Sequence, residues 1–182
     1  MAFQDYLKPI DSDRIRHTGG LIPGTHLAIP TGLSPGILPT PACPYWHHGV
    51  YVGKELNNDP LVTAHLATRA VEWDPAKDDL VIHMLLDGNI VVDALEDFIR
   101  HCPNDLNRLS YSDSESPDAL SQSFRRAVRA LENAREVYDI VSNDTQYFAV
   151  YCRTGECVDD VLFRLLFKAL DLLGMTRTCL DQ

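Results

Sequence analysis

The chain has 182 residues, 45% of them hydrophobic, and a formal net charge of −10. That length suits one domain able to bury its own core without staples. The acidic balance repels phosphate backbones and anionic headgroups, which speaks against nucleic-acid binding and polybasic membrane binding. The five cysteines are odd in number and their spacing matches neither a disulfide framework nor a zinc motif.

The first twenty residues, MAFQDYLKPIDSDRIRHTGG, are charged throughout and lack an apolar h-region. They read as a flexible arm over residues 1–20, not a secretory signal. Ala2 rules out myristoylation, and Asp181 occupies the place where a prenylation box wants an aliphatic residue. A reducing, cytoplasmic setting is the expectation. From Leu21 to Tyr45 the chain is crowded with proline and glycine, so no long helix forms there. One short strand fits at His26 to Ile29, before the proline-rich loop at 30–44. His47 to Gly53, HHGVYVG, is a compact β-type run and predicts a strand. The mixed stretch Lys54 to Asp79 accommodates a short helix near Leu61 to Arg69. Leu80 to Leu86 is apolar on both faces and predicts a buried central strand. Asp87-Gly88-Asn89 signals a turn, Ile90 to Asp93 the returning strand, and Ala94 to Arg100 a helical turn.

The polar linker Ser110 to Asp118 ends in Ser116-Pro117, a helix start. Leu120, Phe124, Ala127, Val128 and Leu131 then recur at helical spacing, predicting a helix over Pro117 to Arg135. Tyr138 to Val141 is a short strand-like step. Ser142, Asn143 and Asp144 are capping residues ahead of a second helix through Phe148, Ala149 and Tyr151, ending at Gly155. In Val158 to Met175, charges at Asp160, Arg164, Lys168 and Asp171 fall on one helical face. Residues 157–182 therefore read as an amphipathic helix packed on the domain, too interrupted to span a membrane.

Three segments in this order carry a family resemblance. HHGVYVG resembles the H-box of the lecithin:retinol acyltransferase family, VIHML resembles that family's second histidine strand, and SNDTQYFAVYCRTGE resembles its NC helix. Leu21-Ile22-Pro23-Gly24 and the helix leading to Tyr138 fit as well. The resemblance covers residues 21–156 and extends to picornavirus 2A proteins with the same H-box/NC arrangement; the terminal Gln182 suits release by a protease that cuts after glutamine. It implies an α+β fold of the permuted, papain-like NlpC type, with a small antiparallel sheet packed against helices. It further implies acyl transfer from a phospholipid or similar ester, using a cysteine at a helix N-terminus, a histidine base and a second, orienting histidine, and no cofactor.

Carried onto this chain, the resemblance gives His47 the place of the base and His83 that of the orienting histidine. Tyr51, Asn143, Asp144 and Gln146 are neighbouring motif residues. Counted back without a gap from Tyr151-Cys152-Arg153, the nucleophile position falls on Thr145; a one-residue slip places Asp144 there instead, and neither supplies a thiol. Cys152, two helical turns farther on, matches the family's second, non-nucleophilic cysteine and reads as a small core residue. His48 points to the opposite strand face and reads as a structural or surface histidine. A helix terminus lowers a thiol's pKa, yet it cannot ionise an alcohol. The first expectation is therefore a non-catalytic interaction protein with an unidentified protein partner. The alternative is a lipid acyltransferase or phospholipase using Thr145 with His47 and His83. A third reading places a metal between His47, His83 and Asp144. The acyl-transfer geometry requires the tip of the helix at Thr145 to face the histidine pair.

Overall fold

In the computed structural model, residues 11–15, 19–30, 46–69, 71–85, 88–100, 106–111, 116–133 and 145–155 are described. Among the described residues six strands form one sheet: β1 (Asp11–Arg14), β2 (His26–Pro30), β3 (Trp46–Gly53), β4 (Leu80–Met84), β5 (Ile90–Ala94) and β6 (Asn107–Ser110). Their order is β1-β6-β2-β3-β4-β5, and every neighbouring pair is antiparallel. Among the described residues four helices accompany them: α1 (Pro60–Thr68), α2 (Leu95–Ile99), α3 (Pro117–Glu132) and α4 (Thr145–Thr154). The architecture is the α+β class, with an antiparallel sheet packed against helices.

The period of two along each strand divides the side chains between two covered faces. Val50 and Val52 of β3, Leu80, Ile82 and Met84 of β4, and Ile90 and Val92 of β5 pack with Ala127 and Leu131 of α3 and Phe148, Ala149 and Cys152 of α4. The other face gathers Leu27, Ile29, Tyr51 and Val81 with Leu95 and Phe98 of α2. β4 is buried at all five positions because both faces are covered, which is why LVIHM reads as a continuous apolar run.

Local chemistry fixes the ends. Asp59 caps α1, its carboxylate accepting from the Leu61 and Val62 amides at 2.8 and 3.3 Å, with Pro60 opening the first turn. Ser116 caps α3 by accepting from the Ala119 amide at 3.2 Å, again ahead of a proline. Each cap contributes about 1 kcal/mol. α4 stops where Gly155 takes φ +78° and its amide bonds the Tyr151 carbonyl at 2.7 Å. The Arg126 guanidinium of α3 donates to the Cys152 carbonyl at 3.0 Å and ties the two helices together.

β4 ends at Met84, two residues short of the expected strand, and α3 ends at Glu132. β1 and β6 have no counterpart among the expected strands. β1 falls within the stretch read as an arm. NRLS carries no apolar alternation, yet β6 hydrogen-bonds to β1 on one side and β2 on the other. The expected helix at 157–182, the caps Ser142, Asn143 and Asp144, the step at 138–141 and the proline-rich loop lie outside the described residues.

Candidate active site

His47 and Gly49 on β3, His83 on β4 and Asp93 on β5 have the parity that directs them to the α2 face. The register pairs Gly49 with His83, placing the His83 ring beside the gap that Gly49 leaves. A Cβ at Gly49 would stand 2.7 Å from Val81 Cγ1, 3.1 Å from the Phe98 ring and 3.2 Å from His83 Cβ. Gly49→Ala is accordingly expected to cost about 1–3 kcal/mol through overpacking and to displace the His83 ring. Chemical denaturation and the side-chain resonances of His83 read both effects, and an unchanged midpoint would contradict the tight fit.

Across this small space the rings meet. His47 Nε2 lies 2.9 Å from His83 Nδ1, with centroids 4.9 Å apart and the rings edge to face. Phe98 packs against both, its ring 5.3 Å from each imidazole. His83 Nε2 lies 2.9 Å from Asp93 Oδ2. Arg69, the residue that ends α1, donates to Asp93 Oδ1 and to the Val92 carbonyl. The result is a continuous chain, His47–His83–Asp93–Arg69.

Electrostatics follow from burial. Desolvation, then the His83 and His48 rings, pull the His47 pKa down to about 3 against a weaker opposing pull from Asp93, so His47 is neutral. Burial acts to raise the Asp93 pKa, but the hydrogen bond from His83 and the contacts of Arg69 outweigh it and hold the carboxyl below its usual value. Tyr51 shares the face. Burial, then the charge of Asp79 and its hydrogen bond, push its phenol up to about 12.

His48 points the other way, as its place in β3 requires. It is buried, and its Nδ1 lies 2.9 Å from His26 Nε2. His26 Nδ1 in turn lies 2.6 Å from the Tyr111 hydroxyl. The Arg153 guanidinium sits 5.5 Å from the Tyr111 ring centroid. This second polar cluster shares the sheet face that α3 and α4 cover.

The structure joins His47 to His83 and does not bond Thr145 to either. Thr145 is fully buried at the start of α4. Its hydroxyl donates, over a long 3.5 Å, to the carbonyl of Trp46, the first residue of β3. The body of α4 packs through Phe148, Ala149 and Cys152 on the face opposite the histidine pair. Cys152 is buried too, and desolvation pushes its thiol well above the ordinary range despite the nearby Arg126. Asn143 and Asp144 lie outside the described residues, Gln146 is placed only by its backbone in α4, and the metal reading loses its carboxylate from view. Among the described residues no group of three or more His, Cys, Asp and Glu is disposed to hold a metal.

A family model described as lecithin retinol acyltransferase matches residues 31–158, well over half of the chain. The chain belongs to the lecithin retinol acyltransferase family. No curated protein and no solved structure matches it. The family assignment agrees with the H-box and NC segments, and with the histidines of β3 and β4 meeting in space. Asp93, Arg69, His26 and Tyr111 escaped the sequence reading. Asp93 carried a signal, being a carboxylate inside an apolar strand that returns beside the strand of His83, two register pairs from it. Arg69 carried none, because only the docking of α1 against the β5 edge brings it there. No helix among the described residues is long and apolar enough to cross a membrane.

Proposed function

We propose that this lecithin retinol acyltransferase-family domain has lost thiol chemistry and acts by binding a protein partner in a reducing, cytoplasmic setting. One observation carries the reading. At the position that the family resemblance assigns to the nucleophile, Thr145 is fully buried and directs its hydroxyl to the Trp46 carbonyl, not to His47. An un-ionised alcohol with that hydrogen bond is a poor nucleophile. Cys152 offers no substitute, being sealed in the core with a raised pKa.

A second reading, acyl transfer from a lipid ester through Thr145 with His47 and His83, draws support from the hydrogen-bonded chain that ends on Asp93. The two readings separate by intact-mass spectrometry after incubation with phosphatidylcholine vesicles. The expected result is no acyl adduct on the wild-type chain. An adduct on Thr145 that disappears in His47→Ala establishes the second reading and removes the first. Thr145→Cys is also expected to resist a thiol-directed acyl probe, because that position is buried and unbonded to His47. Rapid, His47-dependent labelling would instead reveal a site lacking only its sulfur.

A further inference from the structure

With both imidazoles neutral, the hydrogen bonds around Asp93 permit only one arrangement of protons. A carboxylate paired with a guanidinium accepts and cannot donate, and Asp93 receives Arg69 on Oδ1 and His83 on Oδ2. His83 must therefore carry its proton on Nε2. In a neutral imidazole the other nitrogen is then an acceptor, so His83 Nδ1 accepts from His47. The nitrogen facing it is His47 Nε2, at 2.9 Å, which must be the donor. The lone pair of His47 is left on Nδ1.

We infer that Asp93, clamped by Arg69, is a positioning residue that sets the tautomers of both histidines and makes His47 Nδ1 the one basic nitrogen of the site. That nitrogen is the atom able to take a proton from a thiol, a hydroxyl or a water brought to the pocket. The assignment deepens the description of the histidine site but requires no activity. It stands or falls separately from the loss of thiol chemistry. It also explains why an arginine is spent at the end of α1. The guanidinium holds one carboxylate oxygen, so the other stays aimed at His83 with no freedom to rotate away. The same logic is absent from the second cluster. His26 lies there between His48 and a tyrosine hydroxyl, which donates or accepts equally well, so proton positions are not dictated.

Side-chain nitrogen chemical shifts of the histidines, measured on isotope-labelled protein at neutral pH, test the inference directly. Wild-type His47 and His83 are both expected as Nε2–H tautomers. Asp93→Asn presents an amide that can turn its oxygen to Arg69 and its N–H to His83. That should flip His83 to Nδ1–H and, through it, His47 to Nδ1–H. Arg69→Gln keeps the carboxylate as acceptor and should leave both tautomers as they are. The inference is overturned by an Nδ1–H tautomer at His47 in the wild type, by Asp93→Asn leaving both tautomers unchanged, or by a flip in Arg69→Gln. If Asp93→Asn does not give a folded spectrum, the wild-type and Arg69→Gln spectra decide between these outcomes. A purely structural Asp93 would change stability in its variants without changing which nitrogen bears the proton.

Discussion

Gly24→Ala is expected to destabilise the domain by roughly 3–5 kcal/mol, lowering the melting temperature by on the order of 10 °C. Two costs combine. Gly24 adopts φ +95°, where a side chain is strained. An added Cβ would also fall 2.0 Å from the Leu120 carbonyl oxygen and 2.7 Å from its carbon, both main-chain atoms of α3. No rotamer change relieves that clash, so the first turns of α3 must move away from the sheet. The position is locked from the other side as well, because the Gly24 amide donates to the Tyr51 carbonyl at 2.7 Å and the Tyr51 amide to the Thr25 carbonyl at 2.9 Å. Gly20 separates the two costs: it holds φ +114° with nothing near its would-be Cβ, so Gly20→Ala should lose only about 1 kcal/mol of backbone strain. Equal melting temperatures for the two variants would show that the approach of α3 to Gly24 is not rigid.

Acid should unfold the protein at a higher pH than its carboxylates alone would dictate. His26 is completely buried, and desolvation, then the His48 ring and the Arg153 charge, hold its pKa far below 6.5. Burial lowers His48 to about 4, and His47 lies at about 3. In the unfolded chain each titrates near 6.5. Below that pH the unfolded state binds protons that the folded state refuses, so stability falls as pH falls. The contribution is complete above pH 6.5 and is lost progressively down to about pH 3–4. At pH 5 each such histidine has given up roughly 2 kcal/mol, a large share of an ordinary domain's stability. Asp93 joins only below its ordinary value of 3.8, because its folded pKa is depressed. Urea titrations between pH 7 and pH 5 measure the loss, and His48→Gln, which removes one titrating ring, should flatten the curve. A midpoint constant over that interval would mean that the buried rings are protonated without cost, contrary to their burial.

Both expectations rest on features that were visible in the sequence as residues but not as consequences. Leu21-Ile22-Pro23-Gly24 resembled a family segment, yet nothing in it named Leu120 as the neighbour that forbids a side chain. The doubled histidine of HHGVYVG was correctly divided between two strand faces, since alternation is a property of the strand itself. That His48 would find His26 and Tyr111, and His47 would find His83, depends on register with β2 and β4.

The sequence by itself determined the elements whose signals are local. These are the strand at 47–53, the continuous apolar β4, the turn and return into β5, the helices opened by Ser116-Pro117 and closed by Gly155, and the family to which their order belongs. Tertiary structure alone decided the rest. β6, polar and without alternation, became a strand because β1 and β2 offered it hydrogen bonds on both sides. Asp93 and Arg69 joined the histidines because β5 pairs with β4 and α1 docks at that edge. Thr145 bonded to a strand carbonyl and not to an imidazole because α4 buries its apolar stripe on the face away from the pair. Periodicity and capping act over a few residues and can be read along the chain. Register, edge docking and the choice of sheet face are set by contacts between distant segments, and no local pattern encodes them.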